Sequence, residues 1–226
     1  MAVGTADTTR VDLAAARLLP AGRHGMSRDE VAASQVARLL RAMAEAVAEK
    51  GYAATTIADV VGGAGVSRKT FYAFFADKKA CFLAAYDACA AVFEQRLMAA
   101  PGDGALREQL DAVAASYFAG LAEEPAFART FIVEVLGAGP AALERRAAIH
   151  DRWARLLLAL HDAARAQDPA LPAVSLDVAR AAIGAVNELG SEALRLGATD
   201  RLRDLAPLAA SIHFALLTHD HGATTA

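Results

Sequence analysis

The chain has 226 residues, 55% hydrophobic and 22% charged, which suits one large or two modest soluble domains. A net charge of −3 conceals an asymmetry: residues 1–85 carry eleven Lys and Arg against eight Asp and Glu, and residues 86–226 twelve against eighteen, so the N-terminal part is the candidate partner for a polyanion. No run approaches about 18 uncharged apolar residues, the N-terminus lacks an apolar signal segment, and Cys81 and Cys89 fit no metal or redox spacing, so a membrane span and a metal centre are excluded and a cytoplasmic chain with reduced core thiols is expected.

Alanine dominates the apolar residues and strand-favouring runs are scarce, so the fold is expected to be all-α. Residues 1–26 mix Gly, Pro, Thr and Arg without helical periodicity and read as a flexible basic arm, equally compatible with a minor-groove contact and with a disordered leader. Ser27 with Glu30 three residues on is a capping box, and Val31, Leu39, Leu40, Met43 and Val47 form an apolar stripe up to Gly51. Thr55 or Thr56 caps a short second helix that Gly65 ends, Ser67 caps a third running to about Phe74, and Asp77 caps a longer fourth. Breaks at Pro101 to Gly104, Glu124-Pro125, Gly137 to Pro140, Asp168 to Pro172 and Gly197 to Asp200 leave five more helices near 105–123, 126–136, 141–167, 175–196 and 201–219. About nine helices are expected in all, with a tail at 221–226.

The second and third helices, joined by a glycine turn within some twenty residues, have the layout of a helix-turn-helix. Gly65 supplies the left-handed turn, Val66 docks between the helices, and Phe71 and Phe75 fix the third helix. That leaves Ser67, Arg68, Lys69, Thr70 and Tyr72 facing outward, hydroxyls and cations of the kind that reach base edges and phosphates in a DNA major groove. Tyr52 and Phe82 have the spacing of core residues.

The set Gly51-Tyr52, Thr55-Thr56, Ala64-Gly65-Val66-Ser67, Thr70-Phe71-Tyr72, Phe75 and Asp77-Lys78 resembles the DNA-binding domain of the TetR family of bacterial transcriptional repressors over residues 30–85. The resemblance implies a helix-turn-helix domain over 27–76 and a helical ligand-binding and dimerisation domain over 77–220. It further implies a homodimer that binds a palindromic double-stranded operator and is released by a small-molecule inducer. Carried over by position, Lys69 and Thr70 face bases, Thr56, Ser67, Tyr72 and Lys78 hold phosphates, Arg68 does either, and Thr55 is a further candidate DNA contact. Two departures stand out. The position four before the turn glycine, usually small, is Val61, followed by Gly62 and Gly63, each costing about 1 kcal/mol inside a helix. Phe74 occupies a position that is often polar, so it is either core or a lost backbone contact.

Beyond residue 86, apolar stripes carry Phe93, Tyr117, Phe118, Phe131, His150, Trp153 and Asn187, a mixture that suits either ordinary core or an aromatic cavity with a few polar groups. In the family such a cavity holds the inducer, here a largely apolar molecule, and no cofactor is implied. Val178, Ala182, Ile183, Val186, Leu189, Leu205, Leu208, Ile212, Leu216 and Leu217 on the last two helices suit a four-helix interface with a second copy. His150, Asp151 and Glu188 form no nucleophile–base pair, so an enzyme is not expected. The alternative to a DNA-binding regulator is a helical carrier of a hydrophobic molecule.

Overall fold

The computed structural model describes residues 27–221 apart from 101 and 103; the basic arm and the tail expected from the sequence lie outside the described residues. Within them the chain is helical, with nine α-helices and no strand: α1 (Arg28–Ala54), α2 (Ile57–Ala64), α3 (Arg68–Phe74), α4 (Lys78–Met98), α5 (Leu106–Glu123), α6 (Pro125–Ala128), α7 (Pro140–Gln167), α8 (Leu176–Arg195) and α9 (Ala206–Thr218). The caps follow the residue chemistry. Ser27, Thr56, Ser67, Asp77 and Ser175 each accept a backbone N–H of the first turn of their helix, and Ser27 and Thr56 do so within full capping boxes.

Three local features depart from the sequence reading. The helix expected over 126–136 is a composite, in which α6 passes into a π turn at Arg129–Val133 and a 3-10 turn at Glu134–Gly137. Helical geometry in α1 is interrupted at Gly51, whose φ of 81° and ψ of 159° are open to glycine because it lacks a Cβ. Val31, expected in the apolar stripe, is 41% exposed, because the first turn of α1 projects beyond the elements it packs against.

α1 packs against α2 and α4, and α5 against α9; α8 lies between α7 and α9. One apolar cluster runs unbroken from Leu39, Leu40 and Met43 of α1 through Phe71, Phe82 and Phe118 to Ala209 of α9. A smaller one joins Leu106, Leu110, Leu157, Ala182 and Leu217. Cys81 and Cys89 are buried, free thiols, with burial pushing both pKa values up.

Candidate functional site

The α2–turn–α3 unit is held by local bonds that the sequence makes available. Thr56 Oγ1 accepts the Asp59 amide at 3.3 Å, while the Asp59 carboxylate accepts the Thr56 amide at 2.8 Å and pairs with Lys50 at 2.8 Å. These partners, Lys50 foremost, hold the Asp59 pKa down at about 2. Gly65 takes the left-handed conformation (φ 61°, ψ 39°), and the Val66 amide donates to the Val61 carbonyl at 3.1 Å, a Schellman-type ending. Arg38 of α1 donates to the Ala64 carbonyl at 3.0 Å and ties the end of α2 to the body. Gly63 permits close packing, since a Cβ there would meet the Ala42 Cβ at 3.2 Å, whereas Gly62 faces open space.

α3 is anchored on one side and bare on the other. Phe71 and Phe75 are buried with ring centroids 5.7 Å apart, and Phe74 packs half-buried against the core. Ser67 Oγ accepts the Thr70 amide at 3.0 Å and shares a hydrogen with Thr70 Oγ1 at 2.9 Å, which fixes the first turn. Ser67, Arg68, Lys69 and Tyr72 are exposed, Tyr72 at 57%, and Thr70 is half-buried. Neither Arg68 nor Lys69 has an ion-pair partner among the described residues, and α3 has no acidic residue in its first turn. The result is an outward turn with two uncompensated cations and an aromatic hydroxyl.

Two residues named as DNA contacts from the sequence are placed elsewhere. Thr55 is 2% exposed and its hydroxyl donates to the Gly51 carbonyl at 2.8 Å, capping α1 from inside. Lys78 turns inward over the Tyr52 ring, with its ammonium 4.3 Å from the centroid, and donates to the carbonyls of Tyr52 and Thr55, both at 2.8 Å. The break at Gly51 leaves carbonyls of the last turn of α1 without intrahelical donors, and Lys78 supplies the missing protons. Thr56, by contrast, is exposed at the start of α2.

Behind this unit three adjoining chambers, which share lining residues, lie between α4, α5, α7, α8 and α9. The inner one, about 40 Å³, is lined among others by Tyr86, Phe93, Tyr117, Phe131, His150 and Asn187. A middle one of about 40 Å³ shares Tyr117 and Asn187 with it and adds His213. The outer one, about 220 Å³, is bounded by Leu97, Met98, Val113, Leu156, Leu160 and Ile183. Trp153, the only tryptophan of the chain, lines all three. Its indole lies 15° from parallel to the His150 ring at 6.1 Å and edge-on to Tyr117 at the same separation.

Six of the seven candidates named from the sequence therefore meet at the cavity. Phe118 does not: it is fully buried behind Tyr117, edge-on at 5.2 Å, and belongs to the core. Burial, with the Arg146 charge nearby, takes His150 down to about 4, and burial likewise takes His213 to about 4, so both imidazoles are neutral near pH 7. Burial pushes the Tyr86 and Tyr117 phenols up, so they remain donors. Tyr86 and the outer chamber were not singled out from the sequence. Their signal was the helical spacing of Tyr86, Ala90, Phe93 and Leu97 on α4 and of Ile149, Trp153, Leu156 and Leu160 on α7, which reads as core until the two stripes are seen to face a gap.

The residues proposed for a dimer interface are largely spent within the chain: Ala182, Val186 and Leu217 are buried, and Ile183, Leu189, Leu205 and Leu216 pack against the same cores. The exposed residues of α8 and α9 instead include Ala181, Gly184, Leu208 and Ala215 together with the charged Asp177, Arg180, Glu188, Glu192 and Arg195. No group of His, Cys, Asp and Glu among the described residues is placed to hold a metal ion, and no described helix is long and apolar enough to cross a membrane.

Residues 39–85 match the family of bacterial regulatory proteins named for tetR. No curated protein matches the sequence. The fold is shared with FadR of Bacillus subtilis, solved in complex with stearoyl-CoA, at 18% identity over 80% of this chain and 97% of that one, with a TM-score of 0.69. The fatty acid degradation regulator FadR of Bacillus halodurans aligns at 16% identity over 81% and 94%, with a TM-score of 0.67. A TetR-family transcriptional regulator of Streptomyces coelicolor aligns at 20% identity over 87% and 98%, with a TM-score of 0.64. The family and these neighbours are transcriptional regulators rather than enzymes.

Proposed function

We propose that this chain, a regulator of the TetR family by its segment 39–85 and its fold, represses transcription as a homodimer that grips a palindromic operator and lets go when a largely apolar small molecule fills the cavity. Residues 27–76 act as the reading head and residues 77–220 as the ligand-binding and dimerisation part. The observation that carries the reading is the first turn of α3, which faces solvent with Arg68 and Lys69 unpaired while Phe71 and Phe75 lock its orientation. Lys69 and Thr70 read base edges. Thr56, Ser67 and Tyr72 hold phosphates, and Arg68 reaches either.

One α3 covers few base pairs, so affinity requires two copies spaced about 34–36 Å apart along the duplex. Small side chains on the exposed face of α8 and α9 support close packing of a second copy. A Cβ at Gly184 would meet nothing within 4 Å in the single chain, so the space for a neighbouring helix is open.

Release is a coupling free energy between cavity and reading head. Two connections support it. α4 carries Tyr86 and Phe93 at the inner chamber and begins with the Lys78 clamp on α1. The π turn places Phe131 and Ile132 on the same chamber while Thr130 Oγ1 donates to the Ala44 carbonyl of α1 at 2.7 Å, fully buried. The stearoyl-CoA complex of the Bacillus subtilis neighbour supports a ligand with an extended apolar part.

The test is a titration of genomic fragments at two salt concentrations. Operator binding is expected to be selective and to weaken steeply as salt rises, in proportion to the phosphates neutralised. Uniform affinity across fragments would leave only a helical carrier.

A further inference from the structure

We propose that the ligand is an aliphatic monocarboxylic acid held with its carboxylate in the inner chamber and its tail running past Trp153 into the outer one; this rests on the cavity being the ligand site. The chambers divide by chemistry. The outer one is walled by Leu97, Met98, Val113, Leu156, Leu160 and Ile183, and Met98 and Leu156 leave its rim open to solvent. The inner one holds more of the polar groups; the outer one has His213, which burial keeps neutral. Asn187 is 6% exposed, and its amide makes no hydrogen bond within the protein, so it is free to pair with what enters the chamber. Tyr86 and Tyr117, kept protonated by burial, also make no hydrogen bond to the chain, and neutral His150 offers one more N–H.

The charge beside these donors is positive. Arg146 does not line the chamber itself but stands one helical turn before His150 on α7, half-buried, with its Nε buried and without a hydrogen bond, and no carboxylate pairs with it among the described residues. The nearby acids are already matched: Asp87 with Arg145 at 3.4 Å, Glu94 with Arg152, and Glu124 with Arg41 at 3.2 Å. Several donors and one uncompensated guanidinium suit an anion. A chamber of about 40 Å³ has room for a few waters or a carboxylate, and no room for a nucleotide head. A free acid therefore enters with its charged end innermost, whereas a coenzyme A thioester would have to leave its head outside and put an uncharged methyl end against Asn187.

Trp153 fluorescence reports the test directly, because it is the one tryptophan and lines every chamber. Sodium decanoate, decanol and decanoyl-CoA are titrated against the full chain. Decanoate is expected to bind at least about tenfold tighter than the other two, as charge-assisted hydrogen bonds outweigh neutral ones. Arg146→Gln and Asn187→Leu are each expected to remove that preference by weakening decanoate at least about tenfold more than decanol. Decanol or decanoyl-CoA binding as tightly as decanoate would overturn the assignment of the carboxylate and leave the cavity as the ligand site. Silence of Trp153 to all three would overturn both readings. Decanoate binding without release of operator DNA would uphold this assignment and contradict the coupling.

Discussion

Replacing Lys78 by alanine separates two accounts of one residue. If its ammonium held a DNA phosphate, the variant would fold as well as the parent, lose affinity for all sequences alike and shed about one unit of salt slope. The structure gives it another task. Two short hydrogen bonds to carbonyls and a contact with the Tyr52 ring would vanish together, leaving the half-buried end of α1 without donors. A charged hydrogen bond contributes about 1.5–3 kcal/mol and an unpaired carbonyl costs a comparable amount, but partial exposure lets water replace some of this, so a loss of about 2–3 kcal/mol of stability is expected. For a chain of this size that lowers the thermal midpoint by roughly 4–12 °C. Calorimetry or circular dichroism on Lys78→Ala reads the midpoint, and anisotropy on the folded fraction reads DNA affinity. A midpoint unchanged within a degree or so, with the salt slope reduced, would refute the inward clamp.

Three further outcomes follow from the same geometry. Lys69→Ala should cost about 1–3 kcal/mol of operator affinity and relax preference at one position, since its side chain carries no structural bond, with thermal stability unchanged. Gly62→Ala should stabilise the protein by about 0.5–1 kcal/mol because its Cβ meets nothing within 4 Å, while Gly65→Ala should destabilise it because φ is 61° there; paired denaturant titrations compare them. His150 and His213 have folded pKa values near 4, below the ordinary value of about 6.5, so the unfolded chain binds more protons between these limits. Stability is then complete above about 6.5 and falls as pH drops towards 4; His150→Phe should flatten part of that fall in thermal melts taken across the range.

The α2–turn–α3 unit was legible in the sequence because its determinants are local. Ser27, Thr56, Ser67 and Asp77 announce helix starts within four residues, and Gly65 marks a backbone conformation that few other residues adopt. What escaped was tertiary. The π turn at Arg129–Val133 contains no glycine or proline, and its buried Thr130 bond goes to a carbonyl 86 residues away. Lys78 matched a backbone-contacting pattern, and only the orphan carbonyls left by Gly51 show why it turns inward. In the C-terminal part the aromatic candidates clustered at one cavity, yet Phe118 sits one residue from Tyr117 and points into the core instead, a distinction of helical phase that composition does not resolve. The expected partner face is only partly free for a partner. Ala182, Val186 and Leu217 pack into the chain's own core, while Leu208 stays outside beside small and charged residues.

The central claim is that the first turn of α3, in two copies, enters successive major grooves. Methylation interference on a selected operator tests it most directly, since methylation of guanine N7 blocks the major groove alone. The account predicts two clusters of interfering guanines centred about 10–10.5 base pairs apart, with one position in each cluster losing its effect in the Lys69→Ala variant. Interference at a single cluster, or a pattern identical in the parent and the variant, would contradict it.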